Sequence, residues 1–453
     1  MTFETINPAT GLTLKTFHKL SDNEVIEHLE KAHQTQLDWT KSTIDERKRF
    51  LHQLAKNLLA DVPRLSTLIT EEMGKPIVQA RQEIEKCALI CEYYASHLDD
   101  FLAHKKPSPD NPNYFQLCPS GIVFAIMPWN FPFWQVFRAA IPNLALGNGF
   151  LLSHAPNVLG SAKNIQSILQ KSGLPEGLMQ HLIIDYDQVA NIIQYPYISG
   201  VTLTGSQKTG KHIATLAGNA LKKVVLELGG NDPYIILNDA DLDLAANTLV
   251  SGRFMNAGQV CISPKRIIAT SGIYEAFQEK VMALVKSYQT GNPMNEHCMM
   301  GPMARNDLRQ NLHQQIKQSI EKGAHCLVGG YIEDKPGYYY APTLLSNVTP
   351  GMPAFDDELF GPVVSLIHAK DEHEAIILAN QSCYGLGGGI FTKDTQKAEL
   401  IIANQLNVGL GKINGMVRSD PKLPFGGVKG SGFGRECGLQ GLQEFANIKT
   451  IIV

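Results

Sequence analysis

The chain has 453 residues, 44% of them apolar and 18% charged, with 40 basic against 43 acidic side chains and a net charge of −3. That length exceeds what one hydrophobic core serves, so two or three domains are expected, and the apolar content excludes a disordered chain. The near balance of charge gives no general pull toward nucleic acid or anionic lipid.

The N-terminus, Met1-Thr2-Phe3-Glu4-Thr5-Ile6-Asn7-Pro8, has no basic stretch followed by an apolar run, so no signal peptide is visible. No apolar run approaches the roughly 18 to 20 residues that span a bilayer. The longest, Gly121–Trp134, is broken by Pro128, Asn130 and Pro132. Eight cysteines without a Cys-x-x-Cys pair predict reduced thiols, no metal site and a cytoplasmic location.

The N-terminal quarter reads mainly as helix. Asp22 and Asn23 are cap candidates before Glu24–Thr35, and Asp45–Ala60 carries Phe50, Leu51, Leu54, Leu58 and Leu59 at helical spacing. A third helix is expected from Lys75 to Leu102, and Lys106-Pro107-Ser108-Pro109-Asp110-Asn111-Pro112 reads as a linker. From Tyr114 strands and helices alternate. Gly121–Met127, Gly147–Leu152, Leu182–Ile184, Gly200–Leu203 and Val224–Leu226 read as strands, and Pro132 can open a helix. This alternation predicts a largely parallel sheet covered by helices. After Gly229-Gly230 the pattern restarts with Pro233–Leu237 and a helix capped by Asp241. The tail Asn447–Val453 is β-prone and needs a strand partner, in its own chain or in a neighbour.

Four segments carry candidate chemistry. Thr204-Gly205-Ser206 lies between a strand and a helix, where backbone N–H groups are placed to receive phosphate oxygens. Gly205-x4-Gly210-Lys211 nearly completes a P-loop, but His212 stands where Ser or Thr must hold magnesium, which argues against a nucleotide hydrolase. A tight turn that merely needs glycine remains the alternative. Glu227, in Leu226-Glu227-Leu228-Gly229-Gly230, sits at an apolar strand end, where desolvation makes a carboxylate a stronger base; a solvent-facing strand position is the alternative. Cys261 follows Gly258, which permits close approach of another molecule, and precedes Lys265 and Arg266, whose charge favours a thiolate; a small core hydrophobe is the alternative. In Pro128-Trp129-Asn130-Phe131-Pro132 the Asn130 amide is suited to a developing oxyanion. Trp134 and Arg138, four residues apart, stack one helical turn above the other and suit a substrate tail ending in carboxylate; a surface or salt-bridging Arg138 is the alternative.

Together with Glu358-Leu359-Phe360-Gly361-Pro362 and Pro424-Phe425-Gly426-Gly427, these motifs resemble the aldehyde dehydrogenase superfamily, in its order and from about residue 5 to the end. Pro128–Arg138 and Ser419-Asp420-Pro421 are most similar to the shorter succinate-semialdehyde dehydrogenases. The resemblance implies an α/β fold with a Rossmann-like cofactor domain, a second α/β catalytic domain and a small β oligomerisation arm. Their expected extents are 1–100 with 120–229, 230–430, and 101–119 with 440–453. It further implies oxidation of succinic semialdehyde, or of another short ω-carboxylated aldehyde such as glutarate semialdehyde, by a homodimer or homotetramer. A non-catalytic relative that keeps the fold is the reading from another class.

By the same resemblance Cys261 is the nucleophile, Asn130 and the Cys261 N–H hold the oxyanion, and Glu227 activates the hydrolytic water. Trp129, Ser153, Thr204, Gly205, Ser206, Glu358 and Phe360 face the cofactor, and Trp134, Arg138 and Ser419 face the substrate, with Arg418 a second donor. Ser153 replaces the usual lysine of the adenosine-ribose site, and Pro156 replaces a glutamate that favours NAD. The two changes oppose each other, with Ser153 or His154 left to donate to a 2′-phosphate, so the cofactor is NAD(P), leaning to NADP. Ala139 stands where many members carry a lysine of a proposed proton relay.

Overall fold

The computed structural model describes residues 2–453. It opens with a hairpin that the helical reading of the N-terminal quarter lacked: β1 (Thr2–Ile6) pairs antiparallel with β2 (Thr13–His18). The turn between them is closed by backbone bonds, Asn7 N–H to Leu12 O and Gly11 N–H to Asn7 O at 2.8 Å each, and Asn7 Oδ1 adds a bond by accepting the Ala9 N–H at 2.9 Å. Four helices follow: α1 (Asp22–Trp39), α2 (Ile44–Ala60), α3 (Val62–Met73) and α4 (Ile77–Leu102). Ser21, rather than Asp22 or Asn23, caps α1, because its hydroxyl and the Glu24 carboxylate satisfy each other's backbone N–H groups. Thr43 and Glu46 repeat that arrangement at α2. The third expected helix begins at Ile77, after Gly74 closes α3 in a left-handed conformation. Leu51, Leu54, Leu58, Ile84, Cys91 and Leu98 on the facing sides of α2 and α4 are fully buried in one cluster. The segment 106–112 contains neither helix nor strand.

The next stretch runs β3 (Tyr114–Pro119), β4 (Ile122–Met127), α5 (Trp134–Leu146), β5 (Gly149–His154), α6 (Leu159–Lys171), β6 (Met179–His181), α7 (Tyr186–Gln194), β7 (Ile198–Thr204), α8 (Gln207–Asn219) and β8 (Lys223–Glu227). Pro132 stands two residues before α5. Leu182–Ile184 is not a strand: β6 pairs with β5 only through Met179–His181, and Asp185 then caps α7, so the chain must turn between them. The second α/β run continues through β9 (Pro233–Ile236), α9 (Leu242–Phe254), β10 (Arg266–Thr270), α10 (Tyr274–Ser287), α11 (Asn306–Glu321), β11 (His325–Val328), β12 (Thr343–Ser346), α12 (Pro353–Asp356), β13 (Val363–Ala369), α13 (Glu372–Asn380), β14 (Gly387–Phe391), α14 (Thr395–Gln405) and β15 (Leu410–Ile413). It ends with β16 (Gly432–Phe433), α15 (Gly438–Gln443) and β17 (Ala446–Ile451). Asp241 caps α9 by accepting the Asp243 and Leu244 N–H groups.

Two large sheets result. One has the order β16-β8-β7-β4-β5-β6 and is parallel except at β16; the other has the order β11-β12-β13-β10-β9-β14-β15 and is parallel except at β11. Parallel strands need crossovers, and the helices supply them while covering both faces. β3 and β17 form a separate antiparallel ribbon. Among the described residues no helix is long and apolar enough to cross a membrane.

Candidate active site

Cys261 lies in the connection from α9 to β10, next to the end of β8 and the loop after β4. Three successive residues before it, Asn256, Ala257 and Gly258, have φ of 53°, 52° and 73°. Two non-glycine residues in that region carry about 1–3 kcal/mol of strain each. The surroundings hold them there. Gln79 Oε1 accepts the Asn256 N–H, Asn256 Nδ2 donates to Asn130 O, and Gln259 Nε2 donates to Asn256 O, at 2.9, 2.9 and 3.0 Å. A Cβ on Gly258 would strike the Gly361 carbonyl, so this position requires glycine both for its φ and for its neighbour. The fully buried Arg253 ties the turn to the Glu358 segment, donating to Gly258 O at 3.0 Å and to Leu359 O at 2.6 Å.

The two basic residues after Cys261 diverge. Lys265 Nζ donates to the Cys261 carbonyl at 2.7 Å and its charge stabilises a thiolate. Arg266 spends its guanidinium on the Asn231, Leu378 and Ala379 carbonyls. Burial outweighs the help from Lys265 and Arg138, and the Cys261 thiol is pushed up to about 11. Lys265 thus favours the thiolate as its spacing suggests, Arg266 does not, and burial outweighs the gain.

Asn130 is buried, and its Nδ2 donates to Gln259 O at 2.9 Å, which uses one of two amide N–H bonds. Its loop is braced twice. His154 Nε2 lies 2.9 Å from Pro132 O, and Nδ1 lies 2.9 Å from the Ala155 nitrogen and 3.2 Å from Met127 O, so both ring nitrogens are taken up by backbone. Burial drives this imidazole down to about 4, so it stays neutral and is unavailable to a phosphate. The second brace is Glu83 of α4, whose Oε1 accepts the Phe133 and Trp134 N–H groups at 2.9 and 3.0 Å where α5 starts. Glu83 is neutralised by Lys75, which also lies 3.7 Å from the Phe131 ring centre. Sequence spacing gave no sign of this pair, because it acts across helices.

Glu227 ends β8, only 2% exposed, and both its carboxylate oxygens lack a hydrogen-bond partner among the described residues. Desolvation raises its carboxyl well above the ordinary range, opposed by Arg138 and reinforced by Glu436. Arg138 is ion-paired with Glu436 inside the protein and lies over the Phe425 ring at 4.4 Å. Its charge also acts on Cys261, so one guanidinium serves the thiol and both carboxyls. Trp134 Nε1 donates to Ser419 Oγ at 3.0 Å, joining two of the expected substrate-facing residues, and Lys86 of α4, which the sequence reading passed over, donates to the same oxygen at 2.6 Å. Arg418 is exposed.

On the opposite side, Thr204 ends β7 with its buried hydroxyl unpartnered, and Ser206 caps α8 by accepting the Thr209 N–H. Space beside Gly205 is open to 3.8 Å. Glu358 accepts the Gly230 N–H at 3.1 Å and pairs with Lys265 at 3.1 Å, while a Cβ on Gly229 would collide with its carboxylate. The Trp129 and Phe360 rings meet edge to face, 5.8 Å apart. Ser153 is half-buried near the end of β5. The start of α6 is already filled by Glu72, which accepts the Gly160 and Ser161 N–H groups at 2.8 Å each. The open helix start after β7, the orphaned Thr204 hydroxyl and the anchored Glu358 fit a dinucleotide.

Comparison with known proteins agrees with this geometry. The sequence profile of the aldehyde dehydrogenase family matches residues 1–451. A succinate semialdehyde dehydrogenase using NAD(P)+ from Escherichia coli strain K12 is 45% identical over 447 residues, 98% of this chain and 96% of that protein. A probable NADP+ succinate-semialdehyde dehydrogenase from a Synechocystis species is 41% identical, covering 100% of this chain and 99% of its own. The crystal structure of a succinic semialdehyde dehydrogenase from Streptococcus pyogenes in complex with NADP+ superimposes with a TM-score of 0.97 at 37% identity, covering 100% and 99% of the two chains. From profile, relatives and superposition alike, the chain belongs to the aldehyde dehydrogenase family.

Proposed function

We propose that the protein oxidises succinic semialdehyde to succinate with NAD(P)+, leaning to NADP+, through a thioester on Cys261. The observation that carries this reading is the buried, unpartnered Glu227 carboxyl in the same Arg138 charge field as the Cys261 thiol. Cys261 Sγ attacks the aldehyde carbon, and the free N–H of Asn130 with the Cys261 backbone N–H receives the oxyanion. The bound nicotinamide supplies the hydride acceptor. Glu227, a stronger base than a solvated glutamate, then takes a proton from the water that opens the thioester. Its presence favours water over coenzyme A as the acyl acceptor.

Thr204, Gly205 and Ser206 hold the phosphate side of the cofactor, and Glu358, Phe360 and Trp129 hold the nicotinamide side. Ser153 is the remaining donor near the adenosine ribose, since His154 is committed to the loop. Trp134, Arg138 and Ser419 form the substrate pocket. The first sheet with its helices is the cofactor domain, the second the catalytic domain. The β3–β17 ribbon, which leaves Ile448 58% exposed, is the arm that pairs with another subunit in a cytoplasmic homodimer or homotetramer.

Initial rates of nicotinamide reduction test this, with succinic semialdehyde, glutarate semialdehyde and butanal each varied against NAD+ and NADP+. Turnover with a strong preference for succinic semialdehyde is expected, and preference for the longer acid would shift the assignment to it. A folded protein that turns over no aldehyde would leave only the non-catalytic reading. Glu227→Gln is expected to lower steady-state turnover by roughly 10²- to 10⁴-fold. It should still release a burst of about one reduced cofactor per site, because thioester formation precedes hydrolysis. Loss of the burst together with turnover would remove Glu227 from the hydrolytic step.

A further inference from the structure

We propose that Lys86, a residue outside every motif of the site, is the cation that receives the substrate's ω-carboxylate and so sets specificity for acidic aldehydes; this rests on the succinic semialdehyde reading. The geometry isolates Lys86 among the cations of the interior. Lys75 is paired with Glu83, Arg138 with Glu436 and Lys265 with Glu358. Arg47, Arg253 and Arg266 spend their donors on carbonyls, with one Arg47 bond to the Ser42 hydroxyl and one Arg253 bond to the Ser263 hydroxyl. Lys86 has no carboxylate partner among the described residues, and its single hydrogen bond goes to Ser419 Oγ at 2.6 Å.

A half-buried ammonium has three N–H bonds to satisfy, and here two find no protein acceptor. An unpaired charge taken partly out of water is costly unless a ligand compensates it. The same hydroxyl accepts from Trp134 Nε1 at 3.0 Å. With two donors already on its oxygen, Ser419 is left to donate its own O–H. Lys86 and Ser419 therefore present ammonium and hydroxyl protons at one place, a donor set that fits a carboxylate. The Trp134 ring, 4.1 Å from Lys86 Nζ, holds the ammonium above it and forms an apolar wall for a short chain.

Location ties this donor set to the reacting centre. Lys86 is one turn along α4 from Glu83, which anchors the start of α5. α5 carries both Trp134 and Arg138 and follows the loop of Asn130. Arg138 acts on the charge of Lys86 at one end and of Cys261 at the other. Arg138 itself is held by Glu436, so it contributes field, whereas Lys86 has free N–H bonds to offer.

Burial also lowers the Lys86 ammonium to about 8; Arg138 from α5 lowers it further, while Cys437 ahead of α15 and Cys87 and Glu83 on its own helix oppose the shift. The protonated form binds the carboxylate, so recognition is present below that value and fades above it.

The test is the ratio of kcat/KM for succinic semialdehyde to that for butanal, in the full-length enzyme with its cofactor. Lys86→Met keeps the aliphatic stem on Trp134, and the ratio is expected to fall roughly 10- to 100-fold, the worth of a charged hydrogen bond. Lys86→Arg should restore part of it. In the wild type the ratio should decline above pH 8, and the arginine variant should move that decline to higher pH. A ratio within about twofold of wild type in Lys86→Met, with a flat pH profile, would overturn the proposal while leaving the substrate reading intact. A wild type that shows no preference for the acidic aldehyde overturns the substrate reading, and this proposal with it. Should Lys86→Met not fold, the wild-type and Lys86→Arg pH profiles decide by themselves.

Discussion

Cys261→Ala is expected to reduce kcat/KM on any aldehyde by on the order of 10⁴- to 10⁶-fold, the scale seen when a covalent nucleophile is removed. The protein should remain folded, because the strain before Cys261 is held by Gln79, Asn130, Gln259 and Arg253 and not by the thiol. A pH signature accompanies the loss. With burial pushing the thiol up to about 11, the free enzyme holds it protonated at pH 7. Raising the pH populates the thiolate, so labelling of Cys261 by iodoacetamide should quicken about tenfold per unit until the thiol's own pKa is reached. Mass spectrometry of the Cys261 peptide separates it from the other seven thiols. A labelling rate that is already flat between pH 7 and 9 would mean that Lys265 and Arg138 outweigh burial. Residual turnover near wild type in the alanine variant would dismiss Cys261 as the nucleophile.

Arg138→Met is expected to cost about 3–5 kcal/mol of stability, because it leaves Glu436 buried without its counter-ion. Glu227, a second buried carboxyl acting on Glu436's partner, increases the loss. The reading is the denaturant midpoint at constant slope. Pairing the change with Glu436→Gln should recover most of the loss, since both charges are then gone. Non-recovery would mean that Arg138 acts mainly through packing on Phe425. The pair also bears on substrate recognition. With Arg138 held by Glu436, its replacement should change KM for succinic semialdehyde and for butanal alike, and a rise confined to the acidic aldehyde would move the carboxylate contact from Lys86 to Arg138.

Local signals carried the larger part of the fold. The helical spacing of Phe50, Leu51, Leu54 and Leu58, the Asp241 cap and the alternation after Tyr114 all reflect forces within one or two turns of chain, and α2, α9 and the first parallel sheet follow them. The N-terminal hairpin is not legible because β2 is almost wholly exposed and so carries no buried-face alternation, and Leu182–Ile184 resembles a strand because apolar residues fill buried connections as readily as strands.

The family was likewise legible, since its motifs are contiguous runs whose residue types survive reading one at a time. What sequence alone determined was which groups are available: a thiol, an amide, a carboxylate and a glycine-bounded helix start. Tertiary structure alone decided how those groups are charged and joined. Burial, not the neighbouring cations, sets the Cys261 thiol. Arg138 meets Glu436, Glu83 meets the first turn of α5, and Lys86 reaches Ser419 across 333 residues of chain. Desolvation and ion pairing depend on what surrounds a side chain in space, and no spacing along the chain encodes that.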